Sequence, residues 1–419
     1  MDEAKRNAER LFAGLDRISR RELLRRAGRG SVYLGVGALL AACGIGGQNQ
    51  QTGGGNGQDA EPSPEPLPEA AGTVSVANWP LYIDRIRGKS PTLASFTEDT
   101  GTQIDYKVVI NDNEEFFGTI QEPLSRGESV GWDVIVVTDW MVAKMVRLGF
   151  LRELDHDRLP QFEANAFDKF RDPPYDPGNT YSIPWAAGIT GIGYDVSLTG
   201  RELTSMEDLF DPAFEGHVGM FSEMRDTIGL ILLSMGVVPT EAGIDDVEAA
   251  QQRLLQQRDD GIVRGYYGND YTDGLANGDL WATMAWSGDI FALQQDNPNL
   301  RFVIPDEGAM RWTDNMCIPA PAEHPTDAHV WMDYVYTPRI ATNITEWVWY
   351  ESPVSQVPEM IETDAAEASG ADKALLEELA ASPLVFPDET TVATTYNYKV
   401  LDEEEEAAWN ELFQQVTQG

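Results

Sequence analysis

The chain has 419 residues, with 69 Asp and Glu against 30 Lys and Arg, for a formal net charge of −39. At 42% hydrophobic and 10% aromatic it can build a sizeable core, which excludes wholesale disorder. The acidity argues against nucleic acid or an anionic membrane surface as partner, since both need a basic face. A cationic ligand or a high-salt habitat fits, and the scarcity of lysine, 7 of the 30 basic residues, suits a halophile or a GC-rich genome equally.

Residues 1–42 read as an address rather than as part of the fold. Ser19-Arg20-Arg21-Glu22-Leu23-Leu24-Arg25 resembles a twin-arginine export motif. The apolar run Val32 to Ala42 that follows is too short to span a bilayer, which takes about 20 residues. It ends Leu39-Leu40-Ala41-Ala42-Cys43, a lipobox-like sequence whose thiol would accept a lipid. This segment holds nine basic and five acidic residues, so the exported part is left with 21 against 64 and carries the acidity. Residues 43–72, rich in Gly, Gln, Pro and Glu, are expected to form a flexible tether. The expected location is therefore outside the cell, lipid-anchored on the outer face of the cytoplasmic membrane or in the periplasm. The membrane is touched only through that anchor.

Beyond the tether, β-rich runs recur at 73–77, 103–110, 132–138, 217–221, 281–286 and 301–305. Helical patterns separate them at 91–100, 141–148, 226–235 and 328–336. Such alternation predicts an α/β fold with covered sheets. The tail reads as an acid run, Asp402–Glu406, leading an amphipathic helix over 407–416; the acids are expected to be a solvated helix N-terminus. Two cysteines, no CxxC pair and four histidines give no basis for a zinc site, and no metal or cofactor is expected. Cys317, in Asn315-Met316-Cys317-Ile318, is expected to be an inert apolar thiol.

The chemical signal is aromatics beside acids. Eleven tryptophans are many for this length. Trp79 and Tyr82 follow the first strand, Asp139 and Trp140 the third, and Glu223 and Asp226 begin the helix after 217–221. Trp286 and Asp289 flank Ser287-Gly288, and Trp312 and Asp314 flank Thr313. Ligands in open α/β sheets sit at the carboxyl ends of strands. An indole face attracts a cation, and a carboxylate beside it adds a charge-assisted hydrogen bond. An organic ammonium ligand suits that pattern. Trp132, Trp185, Trp331, Trp347, Trp349 and Trp409 are read as packing residues.

At these residues the sequence resembles the periplasmic spermidine/putrescine-binding proteins of ABC transporters, through essentially all of 73–360. The resemblance rests on an ordered set of motifs. These are Val76-Ala77-Asn78-Trp79, Phe96-Thr97-Glu98-Asp99-Thr100-Gly101, Trp132-Asp133-Val134-Ile135-Val136, Tyr181-Ser182-Ile183-Pro184-Trp185, Asn277-Gly278-Asp279, Trp286-Ser287-Gly288-Asp289 and Pro305-Asp306-Glu307-Gly308-Ala309-Met310. The resemblance implies a two-lobed periplasmic-binding-protein fold, type II-like, with hinge strands and a central ligand cleft. One lobe would hold 73–187 and 290–340, the other 188–289 and 341–419. It further implies ligand contacts from Trp79, Trp140, Glu223, Asp226, Trp286, Asp289, Trp312, Asp314 and Tyr350. The partners would be a polyamine or similar organic cation and an ABC permease with its ATPase, the binding protein itself being a monomer. Pro80 stands where the family often has a hydroxyl residue. Arg225, between the two second-lobe acids, is placed where it could neutralise Asp226. Tyr350 matches a position that differs between spermidine and putrescine members, which leaves ligand length open.

Other functions compete. The clamp could take a betaine, a sugar or another organic cation, or could signal to a membrane partner. A lipid-anchored hydrolase could use Glu223 and Asp226 as an acid pair, since retaining glycosidases need carboxyls about 5 Å apart. The sequence has no GxSxG or HExxH motif, and the chain is read as a non-enzyme.

Overall fold

The computed structural model describes residues 67–418 apart from 87. The export segment, Cys43 and the tether up to residue 66 lie outside the described residues. The last tether residues are already docked: the Ala71 and Gly72 amides donate to the Asp327 carboxylate at 2.7 and 3.0 Å.

Ten strands follow in chain order: β1 (Thr73–Asn78), β2 (Gln103–Val108), β3 (Val134–Thr138), β4 (Ser182–Asp195), β5 (Val218–Phe221), β6 (Val263–Tyr267), β7 (Ala282–Trp286), β8 (Leu300–Val303), β9 (Ala309–Cys317) and β10 (Thr395–Tyr396). They hydrogen-bond in the order β2-β1-β3-β9-β4-β7-β5-β6, with β8 beside β4 and β10 beside β9. β1 pairs in parallel with β2 and β3, and β5 in parallel with β6 and β7. These two parallel groups are the sheets of the two lobes. Antiparallel β4 and β9 run from one to the other: β9 pairs with β3 at Ile135–Thr138, and β4 pairs with β7 at Thr190–Tyr194. The two-lobed fold with crossover strands is therefore present.

Local chemistry sets the elements. Helix Pro91–Thr100 starts with Ser90 accepting from the Leu93 amide, has Pro91 in its first turn and stops at Gly101 with φ 78°. Helix Asn113–Ser125 is capped by Asp112, which accepts from the Glu114 and Glu115 amides. β4 is buried along its whole length, and its glycines are a packing requirement. A Cβ at Gly188 would sit 2.4 Å from the Trp312 indole. Helix Pro338–Val348 packs on Pro91–Thr100, while the C-terminal helix Glu403–Thr417 packs on Ile244–Asp259 and Met224–Ser234.

One expectation about the tail changes. The acid run is not wholly solvated: Glu406 is buried and pairs with Lys144 and Arg147. Cys317 ends β9 in full burial, which pushes its thiol well above the ordinary range. No described helix is long and apolar enough to cross a membrane.

Candidate functional site

The carboxyl ends of the parallel strands of both lobes face one cleft. β1 ends at Asn78 and delivers Trp79; β3 ends at Thr138; Glu223 follows β5; Trp286 ends β7. Between them lies a cavity of about 350 Å³, lined by Trp79, Tyr82, Asn113, Thr138, Glu223, Asp226, Asn269, Trp286, Trp312, Asp314, Tyr350 and Tyr398.

The aromatic walls are fixed from behind. Trp79 donates through Nε1 to the Val136 carbonyl at 3.0 Å and meets Trp286 edge-on, centroids 6.3 Å apart. Trp286 rests on Phe221 at 4.6 Å and on Tyr271 at 5.8 Å. Trp312, Tyr350 and Tyr82 form a second wall, with centroid distances of 5.2 and 5.5 Å. Gly288 makes that wall possible, since a Cβ there would lie 2.7 Å from the Tyr350 ring.

Three carboxyls line the cavity. Asp314, at the middle of β9, accepts from Tyr82 Oη and Thr138 Oγ1, both at 2.7 Å. Glu223 accepts from Asn113 Nδ2 at 2.7 Å, a bond from the first lobe to the second. Asp226 accepts from Tyr398 Oη and from Trp286 Nε1 at 3.3 Å, and lies within hydrogen-bond reach of Glu223. None of the three has an ion pair among the described residues. Burial pushes Asp314 up to about 6 and raises Asp226. Glu223 is raised first by burial and then by the neighbouring Asp226. Behind them Asp139 accepts from the Trp140 and Thr313 amides, at 2.6 and 3.2 Å, and burial pushes it up to about 8. The cleft thus holds more buried acid than counter-charge among its described residues, the electrostatic signature of a site for a cation.

Seven of the nine residues carried over by resemblance line this cavity: Trp79, Glu223, Asp226, Trp286, Trp312, Asp314 and Tyr350. Trp140 and Asp289 stand outside its lining. The Trp140 ring carries the Arg225 guanidinium, 5.1 Å from its centroid, and Arg225 donates to the Lys399 carbonyl at 2.9 Å. Arg225 therefore spends its charge away from Asp226. Asp289 accepts from Tyr350 Oη at 2.9 Å, Tyr271 Oη at 3.0 Å and Asn269 Nδ2 at 3.3 Å, holding the wall from behind.

Sequence reasoning noted Tyr82 beside Trp79 without counting it as a ligand contact, and did not select Asn113, Thr138, Asn269 or Tyr398. Tyr82 and Thr138 had a usable signal, a strand-end position beside a selected residue. Asn113 follows a recognisable cap, Asp112. Asn269 and Tyr398 have no local signal; Tyr398 arrives from the far C-terminus beside β10.

Two lobes joined by long crossover strands, with both sets of strand ends aimed at one acid-and-indole cleft, define a solute-binding protein. The chain belongs to the family of bacterial extracellular solute-binding proteins, which matches residues 92–374. It is 28% identical over 354 residues, 84% of this chain and 88% of the other, to spermidine/putrescine-binding periplasmic protein 1 of Haemophilus influenzae. It is 26% identical to a putrescine/agmatine-binding protein of Pseudomonas aeruginosa, covering 78% of this chain and 87% of that one. Among solved structures, a putative spermidine/putrescine ABC transporter protein of Listeria monocytogenes has the same fold. That match has a TM-score of 0.71 at 24% identity and covers 83% of this chain and 99% of the other.

Proposed function

We propose that this protein is the polyamine-binding component of an ABC transporter, capturing putrescine or spermidine in the cleft and handing it to a permease and its ATPase. The carrying observation is the trio Glu223, Asp226 and Asp314, buried in a cavity lined by six aromatic rings, with no ion pair to any of the three among the described residues. An ammonium leaving water needs an ionised partner, and a methylene chain needs an apolar wall; this cleft offers both. The relatives named for spermidine, putrescine and agmatine support the same ligand class. In this reading Trp79, Trp286, Trp312 and Tyr350 hold the chain, and Glu223, Asp226 and Asp314 meet its ammonium groups. Asp289 and Trp140 act from behind the walls.

A sugar clamp or a betaine clamp would not need three buried acids. The hydrolase reading finds no support in the placement of Glu223 and Asp226, which share one wall at the start of one helix, whereas glycosidases set their carboxyls across the scissile bond. The protein is not an enzyme in this proposal. It is a monomer, exported and held by a lipid at Cys43 on the outer face of the cytoplasmic membrane.

Calorimetric titration of the Cys43→Ala chain with putrescine, spermidine, spermine, betaine and maltose tests the ligand class. Saturable binding of one of the three polyamines, with no heat from betaine or maltose, is expected. Binding of maltose or betaine alone would overturn the proposal. The same variant is expected in the medium or periplasm; its retention in membranes would overturn the anchor.

A further inference from the structure

The acid run Asp402–Glu406 has no part in the cleft, yet its last member is buried between the lobes. Glu406 lies at the start of the C-terminal helix, which is held on the second lobe. Gln251 donates there to the Leu412 carbonyl at 2.9 Å, and Arg258 to the Gln415 and Val416 carbonyls, both at 2.9 Å. The Glu406 carboxylate reaches the first-lobe helix Asp139–Arg147, where it meets Lys144 at 3.0 Å and Arg147. Lys144 also binds Glu114 at 2.9 Å and lies 4.6 Å from the Phe117 centroid. Arg147 donates to the Leu401 carbonyl at 2.9 Å, a second tie between the same two bodies. Burial alone would raise the Glu406 carboxyl, but the Lys144 and Arg147 hydrogen bonds and the Lys144 and Arg225 charges together hold it below the usual range. In a chain with only seven lysines, placing one here is selective use of a scarce cation.

We propose that Glu406 is a positioning residue for ligand capture: with Lys144 and Arg147 it forms an ionic latch that closes the lobes from outside the cleft. The latch rests on the reading of the cleft as a closing clamp. It touches no ligand, so it adds the same free energy to the closed state whatever the cleft holds. Removing it shortens the residence of every ligand by one common factor and leaves the preference between ligands unchanged. A residue that contacted the ligand would change that preference.

The test uses the Cys43→Ala chain with spin labels at Glu122→Cys and Glu248→Cys, one exposed helix position on each lobe. Interlobe distances and dissociation rates are measured for the parent, Glu406→Gln and Lys144→Met. Both variants are expected to shift the ligand-free distances outward. Both should raise the dissociation rates of putrescine and spermidine by roughly the same factor, about 10-fold. Distances and rates equal to the parent's in both folded variants would overturn the latch. So would a loss confined to one ligand. Failure of the parent to bind any polyamine would sink the ligand assignment instead, and the ligand-free distances would still decide the latch.

Discussion

Asp314 concentrates the electrostatics of the cleft in one residue. Two hydroxyls donate to it, yet burial still pushes it up to about 6. The ordinary Asp value is about 3.9, so burial favours the neutral form of Asp314. Because the folded pKa lies above the unfolded one, the associated stability is full below about pH 4 and is lost as pH rises through about 6. A ligand ammonium needs the ionised form, so affinity runs the other way. Ionisation of Asp314 alone is expected to raise polyamine affinity by about tenfold in all from pH 5 to pH 7, most of it below pH 6. Titration across that range checks it, and Asp314→Asn should make the rise shallower, leaving only the part that Glu223 and Asp226 contribute. At pH 7.5 Asp314→Asn is expected to weaken binding roughly 10- to 150-fold, the worth of one charge-assisted hydrogen bond. In the absence of ligand the same variant should raise the unfolding midpoint at pH 8 more than at pH 5. Equal polyamine affinity of parent and Asp314→Asn at pH 7.5 would place the ammonium elsewhere. Cys317 provides a second residue-scale prediction. With its thiol fully buried, native protein should resist a thiol reagent that labels the urea-unfolded chain at once; rapid native labelling would contradict this.

Among the elements, β4 and β9 decide what the cleft looks like, and both were illegible in sequence. β4 contains Pro184 and three glycines, at 188, 191 and 193, which read as breakers. Their reason is tertiary: each leaves room for a side chain from a neighbouring element, and Gly188 leaves it for Trp312. β9 carries Arg311, Thr313, Asp314 and Asn315 where a buried strand would ordinarily be apolar, because its polar residues serve the site and the crossover. The six expected strands around them, by contrast, carry plain β-branched or alternating patterns, and all six are present. The same logic applies to the site. Trp79, Trp286 and Trp312 stood out as aromatics beside acids, while Asn113 and Tyr398 depend on contacts over 110 and 172 residues. Gly188→Ala tests the element directly. Its Cβ would press on an indole already packed under Tyr350, and overpacking of this kind costs about 1–3 kcal/mol. A lower unfolding midpoint and weaker polyamine binding together are expected. Unchanged binding would show that Trp312 is not part of the ligand wall.

On the scale of the whole molecule, closure is an electrostatic problem. The lobes meet across the cleft mouth: Ser222 Oγ donates to Asp112 at 3.0 Å, the Asn269 amide to the Asn111 carbonyl at 3.3 Å, and Asn113 to Glu223. Closing without a ligand would bury Glu223, Asp226 and Asp314 together, and uncompensated buried charge costs several kcal/mol. A polyamine removes that cost, whereas a neutral solute would not. The two-lobe hinge therefore links cation capture to shape, with the ligand favouring the state whose acids it neutralises. The chain's overall charge of −39 acts at longer range, drawing cations in and doing so less as salt rises. Small-angle scattering in dilute and concentrated salt separates the two effects. Saturating putrescine or spermidine is expected to reduce the radius of gyration at both salt levels, because the buried acids are shielded from bulk ions. The association rate should fall steeply between them. Maltose should leave the radius unchanged. A radius that stays the same under saturating polyamine would mean that the cleft is rigid, and the crossover strands would then be struts rather than hinges.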